Sequence, residues 1–553
     1  MGTKKAKAYV SHEQTQLTAR LDELNAIGIA LSSERDINRL LETILVAAKR
    51  ITHADGGTLY LVEPERQVLR FEAMRNDTLG IAMGGTTGEP IPFYPVHLTD
   101  KEGKPNNSMV VAYAALSGKT VNIADAYTAE GFDFSGTKNF DKKTGYRSTS
   151  FLTVPMRDHE NEIIGVLQLI NALDRHSGAI VPFSKDDTHL TESLASQAAI
   201  ALTNRRLIKQ LEDLFESLIG LINTAIDDKS PYTGGHCERV PVLTMMLAEA
   251  TIRAGRTSPL YGFTLTDREK YELKIAALLH DCGKITTPVH VVDKSTKLQT
   301  LFDRIHLVDT RFEVLKRDAE IAMLRVLLET GQGTVRAAQI RSDFDARIRQ
   351  LDEDREFLRH CNIGSERMGE ADQARVRSIA AYQWHNEAGE QSSFLSADEL
   401  ENLTIPFGTL TETERQIINH HIVVTIKMLK SLPWPKHLKK VPEYAGGHHE
   451  RMDGKGYPNG LTREQMSVEA RMMGIADIFE ALTAKDRPYK KGKTLTESLT
   501  ILGKFKLNGH IDPDLFDVFV REKVYLTYAQ QFLDPDQTDE VDESKIPGYT
   551  PWD

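Results

Sequence analysis

The chain has 553 residues, 40% of them hydrophobic and 27% charged, with a net charge of −11. That length suggests roughly two to four domains, each able to bury its own core. The acidic balance, with a pI near 5.9, argues against a nucleic-acid-binding surface as the main feature, although bound metal ions can supply local positive charge for a phosphate ligand. Cys237, Cys282 and Cys361 form no CxxC pair and no disulfide framework, so a reducing compartment is expected. No apolar run approaches the ~18 residues a bilayer span needs. Ile163 to Ile170 contains Gln168 and reads as a buried strand. The start, Met1 to Ala6, shows no apolar signal region and breaks the myristoylation pattern at Ala6. The expectation is a cytoplasmic protein without a membrane partner.

In chain order, residues 1–20 are polar and expected to be flexible. From 21 to 205, helical segments bracket strand-like runs, among them Gly57 to Val62, Val68 to Ala73, Ser150 to Met156 and Ile163 to Asn171. The last two flank Asp158-His159-Glu160-Asn161, a hairpin turn. This region reads as α+β, an antiparallel sheet flanked by helices. From 206 to 225, Leu207, Leu211, Leu214, Leu218 and Leu221 alternate spacings of four and three. That is an a/d seam, the mark of a two-stranded coiled coil and hence of a homodimer. The competing reading is a single helix packed on its own domain. From 226 to 530 the signal is almost wholly helical, with a charged insertion over 299–409 that carries no metal or catalytic pattern. The tail, 531–553, is acidic and expected to be loosely ordered. The fold class is therefore multidomain: an α+β domain, a coiled-coil helical linker, and an all-α half with a long helical insertion.

The chemistry lies in the helical half. Leu273, Ala276, Ala277 and His280 share a helical face, and Gly283 is expected to end that helix as a C-terminal glycine. His280-Asp281 alone reads most often as a surface turn or a cap. Other residues change its weight. His236 opens an amphipathic helix, and His448-His449-Glu450 precedes the turn Asp453 to Pro458. Asp477 sits inside the apolar helix Met472 to Leu482, where an unpaired carboxylate is costly and a metal ion is a good partner. At His420-His421, His421 shares a helical face with Ile417, Val424 and Met428, so His421 is taken as the ligand and His420 as a solvent or rim residue. Five histidines and two aspartates result. Such a set suits two divalent metals bridged by a carboxylate, with iron or manganese first and nickel or zinc as alternatives. Two metals ~3.5–4 Å apart activate water and clamp a phosphodiester.

These residues closely resemble the HD-GYP family of bacterial phosphodiesterases, a branch of the HD hydrolases. The match runs through His236, His280-Asp281-Cys282-Gly283-Lys284, His421, His448 to Pro458, Ala476 to Thr483, and Arg487 to Lys490. The resemblance implies hydrolysis of cyclic di-GMP to pGpG and onward to GMP. It implies one metal held by His236, His280, Asp281 and Asp477, and another by His421, His448, His449 and the bridging Asp281. Lys284 would contact a phosphate and, with Asp281, serve catalysis. Tyr457 of Gly456-Tyr457-Pro458, Arg487 and Lys490 would contact substrate. The plain alternatives are a helix-end cation for Lys284 and a tight turn for the tripeptide. Tyr232 stands where some members carry a glutamate for a third metal, so two are expected. Cys282 replaces a commoner isoleucine and is expected only to pack, while Glu480 replaces a common aspartate and is left without a role.

The first half resembles a GAF domain, through Val121 to Tyr127, Thr144 to Ser150 and Ile164 to Asn171. Of the Asn-Lys…Phe…Asp-Glu pattern found in cyclic-nucleotide-binding members, Asn171, Phe183 and Asp187 remain, while Ala172 and Thr188 replace the lysine and glutamate. A cyclic nucleotide, another small ligand or a purely dimerising role all stay open. For the whole chain, the alternatives are the same chemistry on a cyclic dinucleotide such as 3′3′-cGAMP, or a non-enzymatic module that binds nucleotide or a partner.

Overall fold

The computed structural model describes residues 22–550 apart from 35, 101, 230–234, 256–257, 331–334, 365–366, 387 and 486–491. The chain divides into two compact units, Met1–Phe215 and Glu216–Asp553.

The first unit is built on one antiparallel sheet. Helices α1 (22–33) and α2 (Ile37–Thr52) precede β1 (Ala54–Glu63), β2 (Val68–Asn76), β3 (Ile81–Gly84) and β4 (Val96–His97). Then come α3 (Val110–Ser117), β5 (Val121–Ile123), α4 (Ser135–Thr144), β6 (Phe151–Arg157), β7 (Ile163–Leu173) and β8 (Ile180–Val181). The sheet order is β3-β2-β1-β7-β6-β5, with β4 on β2 and β8 on β7. The turn between β6 and β7 falls at Asp158 to Asn161, where Asn161 takes φ 67° and Asp158 Oδ1 accepts from Glu160 N and Glu162 N, both at 2.9 Å. β1 and β7 are almost wholly buried because both faces are covered. One face packs Leu40, Ile44, Leu59 and Leu169 with Leu194 and Ala198. The other packs Tyr60, Leu69 and Val166 with Val111 and Ala114.

Helix α5 (Lys185–Lys229) starts in this unit. Asp187 accepts from Ser184 N at 2.9 Å and Ser184 Oγ at 2.7 Å, which ties the chain at its start. Leu207, Leu211, Leu214, Leu218 and Leu221 along it are 45–66% exposed. The leucine seam is thus left uncovered within a single chain.

The second unit is helical. α6 (His236–Arg253) and α7 (Asp267–Leu279) lead through a 3-10 turn, Cys282–Thr286, to α8 (Val289–Val292). The insertion follows: α9 (Ile305–Thr330), α10 (Val335–Asn362), α11 (Glu370–Ala380), a hairpin of β9 (Gln383–His385) and β10 (Gln391–Ser393), and α12 (Ala397–Leu403). It has its own core, including Phe312, Leu351, Leu358, Val376 and Phe394. The hairpin is an addition to the helical expectation. α13 (Glu412–Lys430) and α14 (Val441–Gly446) resume the main body, completed by α15 (Val468–Thr483), α16 (Leu495–Leu507), α17 (Pro513–Arg521) and α18 (Val524–Phe532).

Two expectations need correcting. The tail after Asp534 is tied down: Gln537 donates to Thr483 O at 2.9 Å, and Ile546 and Tyr549 are buried. Its two apolar side chains outweigh its acidic composition. Gly283 is no left-handed cap, because α7 passes through a right-handed His280 directly into the 3-10 turn. A Cβ on Gly283 would meet His421 O at 2.0 Å. Glycine is required there by the close approach of that turn to α13. Among the described residues, no helix is long and apolar enough to cross a membrane.

Candidate functional site

One group of side chains forms where α6, α7 and α15 converge. His236 opens α6 behind Gly235, whose φ of 81° suits glycine. His280 and Asp281 follow the last turn of α7, and Asp477 projects from α15. His236 Nε2 lies 3.2 Å from Asp477 Oδ1 and 3.3 Å from Asp281 Oδ2. His280 Nε2 lies 3.3 Å from Asp281 Oδ2 and 3.7 Å from Asp477 Oδ1.

A second group adjoins it. His421 comes from α13, and His448 and His449 follow α14. His421 Nε2 is 3.2 Å from Asp281 Oδ1 and 3.2 Å from His449 Nε2. Asp281 therefore turns one oxygen toward each group.

The backbone fixes the protons. A carbonyl oxygen only accepts, so the imidazole nitrogen facing it must donate. His280 Nδ1 donates to Ala277 O at 2.7 Å, His421 Nδ1 to Ile418 O at 2.5 Å, and His448 Nδ1 to Ala445 O at 2.6 Å. His236 Nδ1 donates to Glu480 Oε2. Each opposite nitrogen is then free to present a lone pair inward, the arrangement that metal-binding imidazoles use. His448 Nε2 and Asp281 Oδ1 are buried with no hydrogen-bond partner. Lone pairs and carboxylates facing one another in a buried site are costly unless a cation joins them. The candidate ligand atoms of His236, His280 and Asp477 lie within 4.8 Å of one another, as do those of Asp281, His421, His448 and His449. The donor set fits two divalent metals.

The electrostatics agree. Burial opposes a charge on Asp281, but Lys284 and His280 outweigh it and hold its carboxyl well below the usual range. Burial likewise opposes a charge on Asp477, and His236 and His280 reverse it. Burial disfavours a charge on His280, yet Asp281 and Asp477 push it up to about 9. Burial pushes His449 down to about 4. Burial, with His449 and His280 beside it, sets His448 well below the ordinary value. The carboxylates of Asp281 and Asp477 thus favour a cation at the first group, while burial disfavours charge on the His448 and His449 rings.

Several neighbours complete the site. Lys284 Nζ is 2.5 Å from Asp281 Oδ2. Glu450, directly after His449, accepts from Asn459 N at 2.8 Å and Leu461 N at 2.9 Å and so folds the glycine-rich loop back. A Cβ on Gly456 would meet Arg451 N at 2.3 Å. The Tyr457 ring stacks on His449, with centroids 4.9 Å apart and planes at 26°. Gly456-Tyr457-Pro458 therefore lays an aromatic ring on the cluster.

Helix α13 turns His421 inward and leaves His420 exposed. Its buried stripe is His421, Ile422, Thr425 and Leu429. Ile417, expected on the inward face, is 39% exposed. The stripe runs further round the helix because α13 packs on the Cys282–Thr286 turn, where Gly283 N donates to Thr425 Oγ1 at 2.9 Å. Arg487 and Lys490, expected to contact substrate, lie outside the described residues, as does Tyr232. Sequence reading missed the part played by Glu480. It is 1% exposed and holds His236 with one oxygen. The other oxygen accepts from Arg239 Nε at 2.8 Å and Nη2 at 2.7 Å. Its signal was positional: Glu480 is one turn past Asp477 on the same helical face.

A GAF domain family model matches residues 36–202, and an HD domain family model matches residues 396–515. The chain carries both domains. A cyclic di-GMP phosphodiesterase of Pseudomonas aeruginosa is 40% identical over 114 residues, 21% of this chain and 26% of that protein. The 3′3′-cGAMP-specific phosphodiesterase 1 of Vibrio cholerae is 44% identical over 81 residues, 15% of this chain and 19% of that protein. This chain thus spans about a quarter or less of the length of these curated relatives. The GAF domain of an Acinetobacter phosphoenolpyruvate-protein phosphotransferase is 17% identical, covers 35% of this chain and 98% of its own, and has a TM-score of 0.26.

Proposed function

We propose that the helical half is a metal-dependent phosphodiesterase that opens cyclic di-GMP to pGpG and proceeds to GMP. The observation that carries this reading is the cluster itself: imidazole lone pairs turned inward by their Nδ1 bonds, around Asp281 with one oxygen toward each group. The relatives' names support the substrate class.

In this reading His236, His280, Asp281 and Asp477 would hold one metal, and His421, His448 and His449 would hold the other. Asp281 serves both. Iron or manganese is favoured, with nickel or zinc as alternatives. Bound there, divalent metals acidify a water and offset the charge of a phosphodiester. Lys284 sits beside Asp281, positioned to offset charge that develops on the phosphoryl oxygens. Glu480 and Arg239 fix the orientation of His236. Tyr457 walls the second group and, with Arg487 and Lys490, meets the substrate.

The GAF domain senses a small ligand, a cyclic nucleotide being one option, and shifts the population of two arrangements of α5. The uncovered leucine seam supports a coiled-coil homodimer as the carrier of that signal. Three free, buried cysteines accord with a cytoplasmic setting. A second reading, the same chemistry on 3′3′-cGAMP, is favoured by the similarity to the Vibrio cholerae enzyme.

Turnover of cyclic di-GMP and 3′3′-cGAMP by chain loaded anaerobically with iron or manganese tests both readings. About two metals per chain and hydrolysis of either are expected. A metal-loaded chain that cleaves neither defeats the proposal. Sedimentation equilibrium reads the seam: the parent is expected as a dimer, and a chain with Leu214→Glu and Leu218→Glu as a monomer.

A further inference from the structure

Beside the cluster lies a pocket of about 330 Å³, with Thr286 and Pro288 on one wall and Gln416, Ile417, His420 and His421 on the other. Its volume is at the lower end for small-molecule sites, roughly 300–1,000 Å³, and suits a single nucleoside. His421 belongs to both features: its Nε2 faces Asp281, while its residue lines the pocket.

The lining has a mixed chemistry. Ile417 is 39% exposed although it shares the helix face of His421, one turn away. Ile285 and Val289, which flank Thr286 to Pro288 in sequence, are 40% and 47% exposed. Of these three, Ile417 lines the pocket, and with Pro288 it offers an apolar surface on which a flat ring can rest. Around them stand hydroxyls, an amide and an imidazole, and none of the lining residues is Asp, Glu, Lys or Arg. Without Lys or Arg to offset a phosphate's charge, that lining suits an uncharged heterocycle better than a phosphate. Gln416 and His420 are four residues apart, hence neighbours on the helix surface, and both are exposed, with no side-chain hydrogen bond among the described residues. An amide offers both donors and an acceptor, which the edge of a nucleobase complements.

The wall is held from the insertion. Lys294, before it, donates to Glu414 Oε1 at 2.8 Å, to Glu414 Oε2 at 2.7 Å and to Asn402 Oδ1 at 2.7 Å. Thr409 Oγ1 donates to Lys294 O at 2.9 Å. The first turn of α13, directly before Gln416, is therefore set by where the insertion leaves and rejoins the main body.

We propose that this pocket seats one base of the cyclic dinucleotide while its phosphodiester lies at the cluster, and that Gln416 and His420 determine specificity. This rests on the phosphodiesterase reading above. The test compares kcat/KM on whichever cyclic dinucleotide is turned over faster with kcat/KM on bis(p-nitrophenyl) phosphate, a diester without a base. It uses the metal-loaded full chain and its Gln416→Leu and His420→Ala variants. The ratio is expected to fall about tenfold in each variant, through KM, as loss of one well-placed hydrogen bond predicts. An unchanged ratio, whether both activities hold or both fall, overturns the pocket and leaves the phosphodiesterase reading standing. A parent chain that cleaves bis(p-nitrophenyl) phosphate but no cyclic dinucleotide overturns that reading and this inference with it.

Discussion

In the sheet half, Asp141 accepts from Ser148 N, Ser148 Oγ and Tyr127 OH, each at 2.8 Å. Asn171 Oδ1 accepts from Thr149 N at 2.7 Å, and its Nδ2 donates to Tyr146 OH at 2.9 Å and Arg147 O at 2.8 Å. In the helical half, the buried cluster around Asp281 leaves His448 Nε2 and Asp281 Oδ1 without partners. Both regions bury polar side chains. The first set satisfies itself and holds a loop, while the second is complete only with something added. A buried polar network that closes on itself specifies structure. One that stays open at a shared point marks a site.

The largest effect expected from this contrast is at Asp281. Asp281→Ala removes the one carboxylate that faces both groups and is expected to lower cyclic dinucleotide turnover at least ~10²–10³-fold, with metal content below about one per chain. Turnover within a factor of two of the parent would remove Asp281 from the proposed role. Glu480→Gln comes next. Its carboxylate orients His236 while its other oxygen holds Arg239, so metal affinity is expected to fall by roughly 10–100-fold, with recovery of turnover at high metal concentration. Competition against a metal-binding dye measures the affinity. No recovery would mean that Glu480 does more than orient.

Asn171→Ala probes the closed network. Thr149 N and Ser150 N lose their acceptor, a cost of about 1–3 kcal/mol for buried groups left unpaired. The alanine must also take up φ 56°, which asparagine tolerates better. Hydrogen exchange of the full chain, read on peptides from Tyr146 to Leu173, is expected to quicken, with metal content as in the parent. Metal loss in this variant would break the contrast.

The open network was the more legible of the two. His280-Asp281 and Asp477 are ionisable residues in otherwise apolar runs, and His448-His449 precedes a glycine-rich turn, features that sequence displays directly and that gained weight as a set. The four long strands β1, β2, β6 and β7 were legible because alternation and short apolar runs need no partner to be seen, whereas the two- to four-residue strands β3, β4, β5 and β8 were not. What sequence could not display was anything set by two elements meeting. Gly283 read as a helix end, but its smallness serves an approach to α13. His421 was placed inward from a face shared with Ile417, yet Ile417 is exposed, because the packing partner is a 3-10 turn and not a flat core. Glu480 had no visible role because its partner, His236, is 244 residues away. The acidic tail looked loose because Ile546 and Tyr549 are two apolar residues among many charges.

Tyr457 gives the smallest expected effect and the finest test of where the open network ends. Sequence reading made it a substrate contact, which favours its hydroxyl. The structure stacks its ring on His449, which favours the ring alone. Aromatic pairs of this kind are worth ~0.5–1.5 kcal/mol beyond burial, or about twofold to somewhat over tenfold in an equilibrium. If the ring acts by steadying His449, Tyr457→Leu is expected to weaken metal binding by that factor, and Tyr457→Phe to leave it unaltered. If the hydroxyl meets substrate, Tyr457→Phe is expected to raise KM for the cyclic dinucleotide at constant metal affinity. Measuring both quantities for both variants assigns Tyr457 to the metal side of the site, to its substrate side, or to each in part.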